Sequence, residues 1–273
     1  MEESKTRSLG PRFAVGLSLG VVFLLSLLHP LALTTLIAAT TALAVRELGL
    51  VLSKAGWHVP KAAPIAALAI AYSSYFFQAT GQWLALIFSI GIFLGWRVLY
   101  VLFSKTSITA KQLLRDLGAT GFALVYVPLL LSFAVLLVQQ PGGTAWVLGM
   151  VLTVVMIDTF GYLVGRFFGK TKFVPTISPK KTWEGFLASA VGALLGGFLL
   201  GNLTSTPLWF ALLFGLAVLI SSVLGDLSES LIKRDMNVKD MGDGLPGHGG
   251  FMDRMDSLLP SSFVAYALSL WIL

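Results

Sequence analysis

The strongest constraint on this chain is a series of apolar runs, separated by short polar or glycine- and proline-containing breaks, that approach the ~20 residues a helix needs to cross a ~30 Å hydrocarbon layer. With 56% hydrophobic and only 12% charged residues among 273, there is more apolar surface than a soluble core of this size can bury. The runs lie near 13–28, 31–52, 62–79, 82–103, 117–138, 144–166, 185–202, 207–225 and 257–273. They predict an all-α, polytopic integral membrane protein of about nine transmembrane helices. Proline prevents a continuous helix at His29-Pro30, so the first two runs read as a helical hairpin. The first run follows a basic stretch, as a signal peptide would. No small-residue cleavage site follows it, and it is read as a span.

The charges sort by loop. A cytoplasmic N-terminus puts Lys5, Arg7 and Arg12 inside, together with Lys54 and Lys61, then Lys105, Lys111 and Arg115, then Arg166, Lys170, Lys172, Lys180 and Lys181, and finally the charged segment 226–256. The loops between them, around His29, 80–81, 139–144 and 202–206, carry no Asp, Glu, Lys or Arg. This alternation predicts an N-terminus inside and a C-terminus on the opposite side. It also explains the net charge of +6 through topology, so nucleic acid is not an expected partner. The absence of cysteine excludes disulfides, thiolate metal sites and cysteine nucleophiles.

Charge within or at the ends of apolar runs is expensive unless paired, hydrated or able to snorkel. Arg46 and Glu47 are expected near the cytoplasmic interface, and Arg97 is expected to snorkel there. Asp158 is too short to do so and should face a polar cavity, roughly 12 Å from the Arg166 end of its helix. Residues 1–140 carry little chemistry and read as an N-terminal scaffold of five spans. Residues 141–273 read as a C-terminal catalytic half, within one folding unit.

The segment 225–257 is too charged to cross the membrane and too glycine-rich near its end to be one helix. Helical spacing puts Asp226, Glu229, Ser230 and Lys233 on one face. Five glycines and Pro246 between 240 and 250 allow a tight loop whose amides approach phosphate oxygens, although such loops also serve as plain connectors. Asp253 and Asp256 open the last span one turn apart, as N-terminal capping also would. Asp226 ends the preceding span on the same side. Acids meeting from two helix ends, without cysteine, suit a hard cation bound by oxygen, and magnesium is the expected one. In the loop before the seventh span, Ser178-Pro179 resembles a helix N-cap presenting Lys180 and Lys181 to the charge of a nucleoside triphosphate. A loop that enforces topology or touches anionic lipid has the same composition.

The run Ser230-x2-Lys233-Arg234-x4-Lys239-Asp240-x-Gly242-x2-Leu245-Pro246-Gly247-His248-Gly249-Gly250-Phe251-x-Asp253-Arg254-Met255-Asp256 resembles the signature of phosphatidate cytidylyltransferases, the CDP-diacylglycerol synthases. The stretches from Asp158 to Arg166 and from Ser178 to Gly185 are similar to that family's as well; the first half resembles it only in its hydrophobic spans.

The resemblance implies transfer of the cytidylyl group of CTP to phosphatidic acid in the bilayer, giving CDP-diacylglycerol and pyrophosphate. It implies Asp226, Asp253 and Asp256 as metal-site acids. Lys180, Lys181, Lys233, Arg234 and Lys239 become candidates for the triphosphate or the lipid phosphate. Asp158 would line the cavity, beside a second cation or a lysine. His248 serves either the loop or a phosphate. A phosphate monoester with a second pKa near ~6 needs little general-base help, so no catalytic histidine is required. The expected location is an integral membrane one, the cytoplasmic membrane if the source is bacterial, with the site facing the cytoplasm, and a homodimer is among the expected assemblies. Two other readings stay open: a CTP-dependent lipid kinase of the dolichol kinase kind, and a membrane transporter.

Overall fold

The computed structural model describes residues 9–103, 108–245 and 249–272. His248, Lys5, Arg7 and Lys105 lie outside the described residues, as do Pro246 and Gly247 of the glycine-rich loop. The chain is mostly helical. Its helices are α1 (Leu9–Ser26), α2 (Pro30–Lys54), α3 (Ala63–Phe103), α4 (Ala110–Leu124), α5 (Leu130–Val138), α6 (Gly143–Phe168), α7 (Trp183–Thr204), α8 (Leu208–Asp235), α9 (Met252–Met255) and α10 (Leu258–Ile272). Among the described residues, seven helical segments are long and apolar enough to cross a membrane.

Three of the expected runs depart from separate, full-length helices. The first contributes a shorter apolar helix, Val15–Ser26. The third and fourth share the 41 residues of α3, interrupted at Gln78 (φ 57°, ψ −151°). A straight helix of that length would extend ~61 Å, about twice the hydrocarbon thickness, so the break divides an otherwise unaccommodated rod. The end of α5 supports the break: Gln78 donates to Gln139 at 2.8 Å, and Gln139 donates to the Ser74 carbonyl at 3.2 Å. Helix α4 begins seven residues before the apolar run, because Thr109 and Gln112 form a reciprocal capping box. It continues into α5 through a π-helical turn, Val125–Leu129, which contains Pro128. Proline has no N–H to donate, and a widened turn absorbs the missing bond.

The all-α expectation needs one correction. Residues Lys172–Val174 (β1) and Ser178–Thr182 (β2) form a small antiparallel hairpin, so Ser178-Pro179 does not start a helix. Helix α7 starts at Trp183 instead, and Thr182 caps it by accepting from the Gly185 amide at 3.2 Å. Strand pairing uses the 178–182 backbone that a helix would have needed, which moves the cap four residues along.

Close approach of α6 and α7 organises the second half. A Cβ on Gly185 would meet the Gly161 carbonyl at 2.9 Å and the Gly165 Cα at 3.2 Å, so hydrogen atoms alone separate these backbones. Helix α8 packs on α7, and α10 lies against both α8 and α5, joining the two halves. Many large apolar side chains remain exposed on the outer faces, including Phe88, Ile92, Leu187, Leu208 and Trp209, as expected where lipid replaces water.

Candidate active site

The C-terminal end of α8 carries the polar face expected from its spacing. Ser230 Oγ donates to Asp226 Oδ1 at 3.2 Å, and Lys233 Nζ donates to Glu229 Oε2 at 2.8 Å. Lys233 Nζ also donates to Asp253 Oδ1 at 3.0 Å, linking α8 to α9. Asp253 is 5% exposed at its side chain and gathers the glycine-rich loop: its Oδ2 accepts from the Met241 amide at 2.9 Å and the Gly250 amide at 2.8 Å. The loop closes through a bond from the Leu245 amide to the Gly249 carbonyl, with Gly249 at φ +82°. Both Asp253 oxygens therefore engage protein donors.

Lys181 reaches Asp226 at 2.5 Å. Successive side chains of a strand point to opposite faces, so Lys180 on the same strand is turned away and exposed. The hairpin thus separates two lysines that an N-cap would have presented together. Arg234 Nε donates to the Ile177 carbonyl at 3.2 Å, tying the hairpin to α8. Between them, Ser178, Ser230, Lys233, Arg234 and Lys239 line a cavity of about 460 Å³. It is open and dominated by cations, as a polyanion requires.

Beside it lies the acidic cluster. Asp256 is in electrostatic contact with Asp226, Glu229 and Lys233; Asp158, exposed on α6, lies within reach of Asp226, Asp256, Lys181 and Arg254. The residues expected at 158, 226 and 256 are thereby brought together.

Five carboxylates (Asp158, Asp226, Glu229, Asp253 and Asp256) face three cations (Lys181, Lys233 and Arg254), leaving a formal excess of two negative charges. Glu229 is fully buried, with Lys233 donating to its Oε2 and the Asp256 carboxyl in hydrogen-bond contact with its side chain. Among the described residues no three Asp, Glu or His side chains close into a complete cation cage. The charge excess and the close approach of Glu229 to Asp256 nevertheless fit a divalent ion, because magnesium takes one or two carboxylates and completes its shell with water and substrate oxygens.

Two residues of this region escaped the sequence reading. Glu47, expected at the interface, is only 7% exposed and touches the loop: its Oε2 accepts from the Met252 amide at 3.0 Å. Tyr126, displayed by the π-helical turn, donates to the Gly225 carbonyl at 3.4 Å and stands near Asp226, Glu229 and Asp256. The charge of Glu47 within an apolar run was the available signal. Tyr126 gave none, since aromatic residues are common in spans.

The profile of the cytidylyltransferase family matches residues 11–272. The chain is 38% identical over 276 residues to a phosphatidate cytidylyltransferase of Mycobacterium bovis, covering 95% of this chain and 88% of that protein. It is 38% identical to that of Mycobacterium tuberculosis strain H37Rv, covering 95% and 82%. It is 44% identical over 135 residues to the chloroplastic phosphatidate cytidylyltransferase 4 of Arabidopsis thaliana, covering 46% and 34%. With the family profile spanning nearly the whole chain, and similarity to the mycobacterial proteins extending through both halves, this protein belongs to the cytidylyltransferase family.

Proposed function

We propose that the protein transfers the cytidylyl group of CTP to phosphatidic acid. The carrying observation is the junction of the cationic cavity at Lys233, Arg234 and Lys239 with the acidic cluster at Asp226 and Asp256, at the ends of helices long and apolar enough to cross a membrane. A phosphate oxygen of phosphatidic acid forms a bond to the α-phosphorus of CTP, the α–β bridging P–O bond breaks, and pyrophosphate leaves with the electron pair. Two polyanions must be held in line, and cations offset their repulsion. Ser178, Lys233, Arg234 and Lys239 supply donors along the cavity, Lys181 stands against Asp226 in the acidic cluster, and Asp253 ties Lys233 to the glycine-rich loop. Asp226 and Asp256 are the carboxylates we assign to magnesium. Asp253, expected as a third ligand, would have to exchange its protein donors to join them. When bound, the ion supplies charge neutralisation at the triphosphate. Asp158 is assigned to the edge of the same cluster, where a second cation or Lys181 balances it.

Counting α1 as a span and α3 as two gives nine crossings from the seven long segments, and supports the N-inside topology read from the loop charges. The cavity then faces the cytoplasm, in the cytoplasmic membrane if the cell is bacterial. The contact of Glu47 with Met252 supports one folding unit, because the scaffold half supplies part of the loop's support.

The test is an assay of purified protein with CTP, phosphatidic acid and magnesium that follows lipid product and pyrophosphate together. Label in the cytidine should enter lipid. Entry of γ-phosphate label instead would identify a kinase and reject the proposal.

A further inference from the structure

A second charged cavity lies outside the site just described. Ser53, Trp57, His58, Arg97, Gln112 and Arg115 line a space of about 320 Å³ where the ends of α2, α3 and α4 meet. It is on the same end of α2 as the glycine-rich loop, since Glu47 and Ser53 are six residues, or ~9 Å, apart along that helix. Arg97 is paired there, its Nη2 lying 2.5 Å from Asp116 Oδ2.

Asp116 is the sole carboxylate among the lining residues, and it is 3% exposed at its side chain. The His58 amide donates to its Oδ1 at 2.9 Å, and Arg115 Nε lies 3.9 Å from the same oxygen, beyond hydrogen-bonding distance. Arg115 also donates through Nη2 to the Gly56 carbonyl. After these pairings one positive charge is uncompensated. The Nε atoms of Arg97 and Arg115 are both buried without a hydrogen-bond partner among the described residues. Leaving charged donors buried and unpaired is costly, and a guanidinium fork matches the oxygens of a phosphate.

The surroundings select the kind of phosphate. The helices that supply the two arginines also carry the exposed side chains of Leu99, Tyr100, Phe103 and Leu114. A free anion would not use those exposed apolar side chains, whereas a phospholipid places its phosphate in the cavity and its acyl chains along the same helices. We infer that the cavity between His58, Arg97 and Arg115 binds the phosphate headgroup of an anionic membrane phospholipid, at a site separate from the acidic cluster. The inference does not depend on the proposed reaction.

The experiment is native mass spectrometry of the delipidated full-length protein titrated with phosphatidylglycerol or phosphatidylcholine. Wild type should retain phosphatidylglycerol about tenfold more tightly than phosphatidylcholine, and Arg115→Gln should remove about tenfold of that affinity. The paired change Arg97→Met with Asp116→Asn deletes both charges together, so it leaves no orphaned carboxylate; it removes one guanidinium fork but keeps the Arg115 charge, and should weaken retention measurably but less than Arg115→Gln. Equal retention by wild type and a folded variant, or of the two lipids by wild type, overturns the site. Displacement of phosphatidylglycerol by millimolar inorganic phosphate overturns the lipid assignment in favour of a free anion.

Discussion

Glu47 Oε2 accepts a hydrogen bond from the Met252 amide at 3.0 Å, across 205 residues of chain. A carboxylate on the second helix therefore supports the loop in front of the last one. Its carboxylate also occupies the space beside three loop glycines, Gly242, Gly244 and Gly250.

That crowding predicts a coupled pair. A Cβ at Gly242 would lie 2.5 Å from Glu47 Oε1 and Cδ, while no other neighbour stands within its closest contacts. Gly242→Ala should destabilise the loop by ~1–3 kcal/mol and lower turnover at least tenfold. In a Glu47→Ala background the same change should cost much less, a coupling of ~0.5–3 kcal/mol in thermal melts and kinetics. Additive effects would show that the two residues do not share the space.

Magnesium titration of activity separates the acids. Asp226→Asn and Asp256→Asn should raise the magnesium concentration for half-maximal rate about tenfold or more, since each removes a charge from the assigned ion site. Asp253→Asn should lower turnover by ~100-fold with little change in that midpoint, because its carboxylate holds Lys233 and the loop amides. A large shift of the midpoint in Asp253→Asn would make it a ligand.

The two hairpin lysines should differ. Lys181→Met breaks the contact with Asp226 and is expected to lower kcat/KM by ~100-fold. Lys180→Met removes an exposed charge from the opposite face of the strand and should cost no more than about threefold. Equal losses would mean that both lysines reach the substrate.

Burial and the neighbouring Arg97 hold the His58 imidazole below its usual pKa of 6.5, against the opposing influence of Asp116. The folded protein thus binds fewer protons at His58 than the unfolded chain does. Its contribution to stability is present above pH 6.5 and is lost as pH falls through the depressed value. NMR titration of a specifically labelled His58 should give a midpoint under 6.5, and His58→Gln should flatten the decline of melting temperature between pH 7 and 5.

Local pattern was enough to find the membrane helices, the polar face of α8 and the family signature, because hydropathy, i to i+4 spacing and a contiguous motif are properties of neighbouring residues. The pairing of Lys233 with Glu229 follows from that spacing alone. The roles of Glu47, Tyr126 and Arg97 do not, since each is decided by a partner far away in sequence or on another helix. The hairpin is intermediate: Ser178-Pro179 has the composition of a helix start, but pairing with Lys172–Val174 turns it into a strand and separates Lys180 from Lys181. Sequence by itself determined that this chain lives in a bilayer and which segment carries its chemistry, because the cost of desolvating charge acts residue by residue. Only the tertiary structure decided which charges meet, because ion pairing depends on distances set by how helices pack.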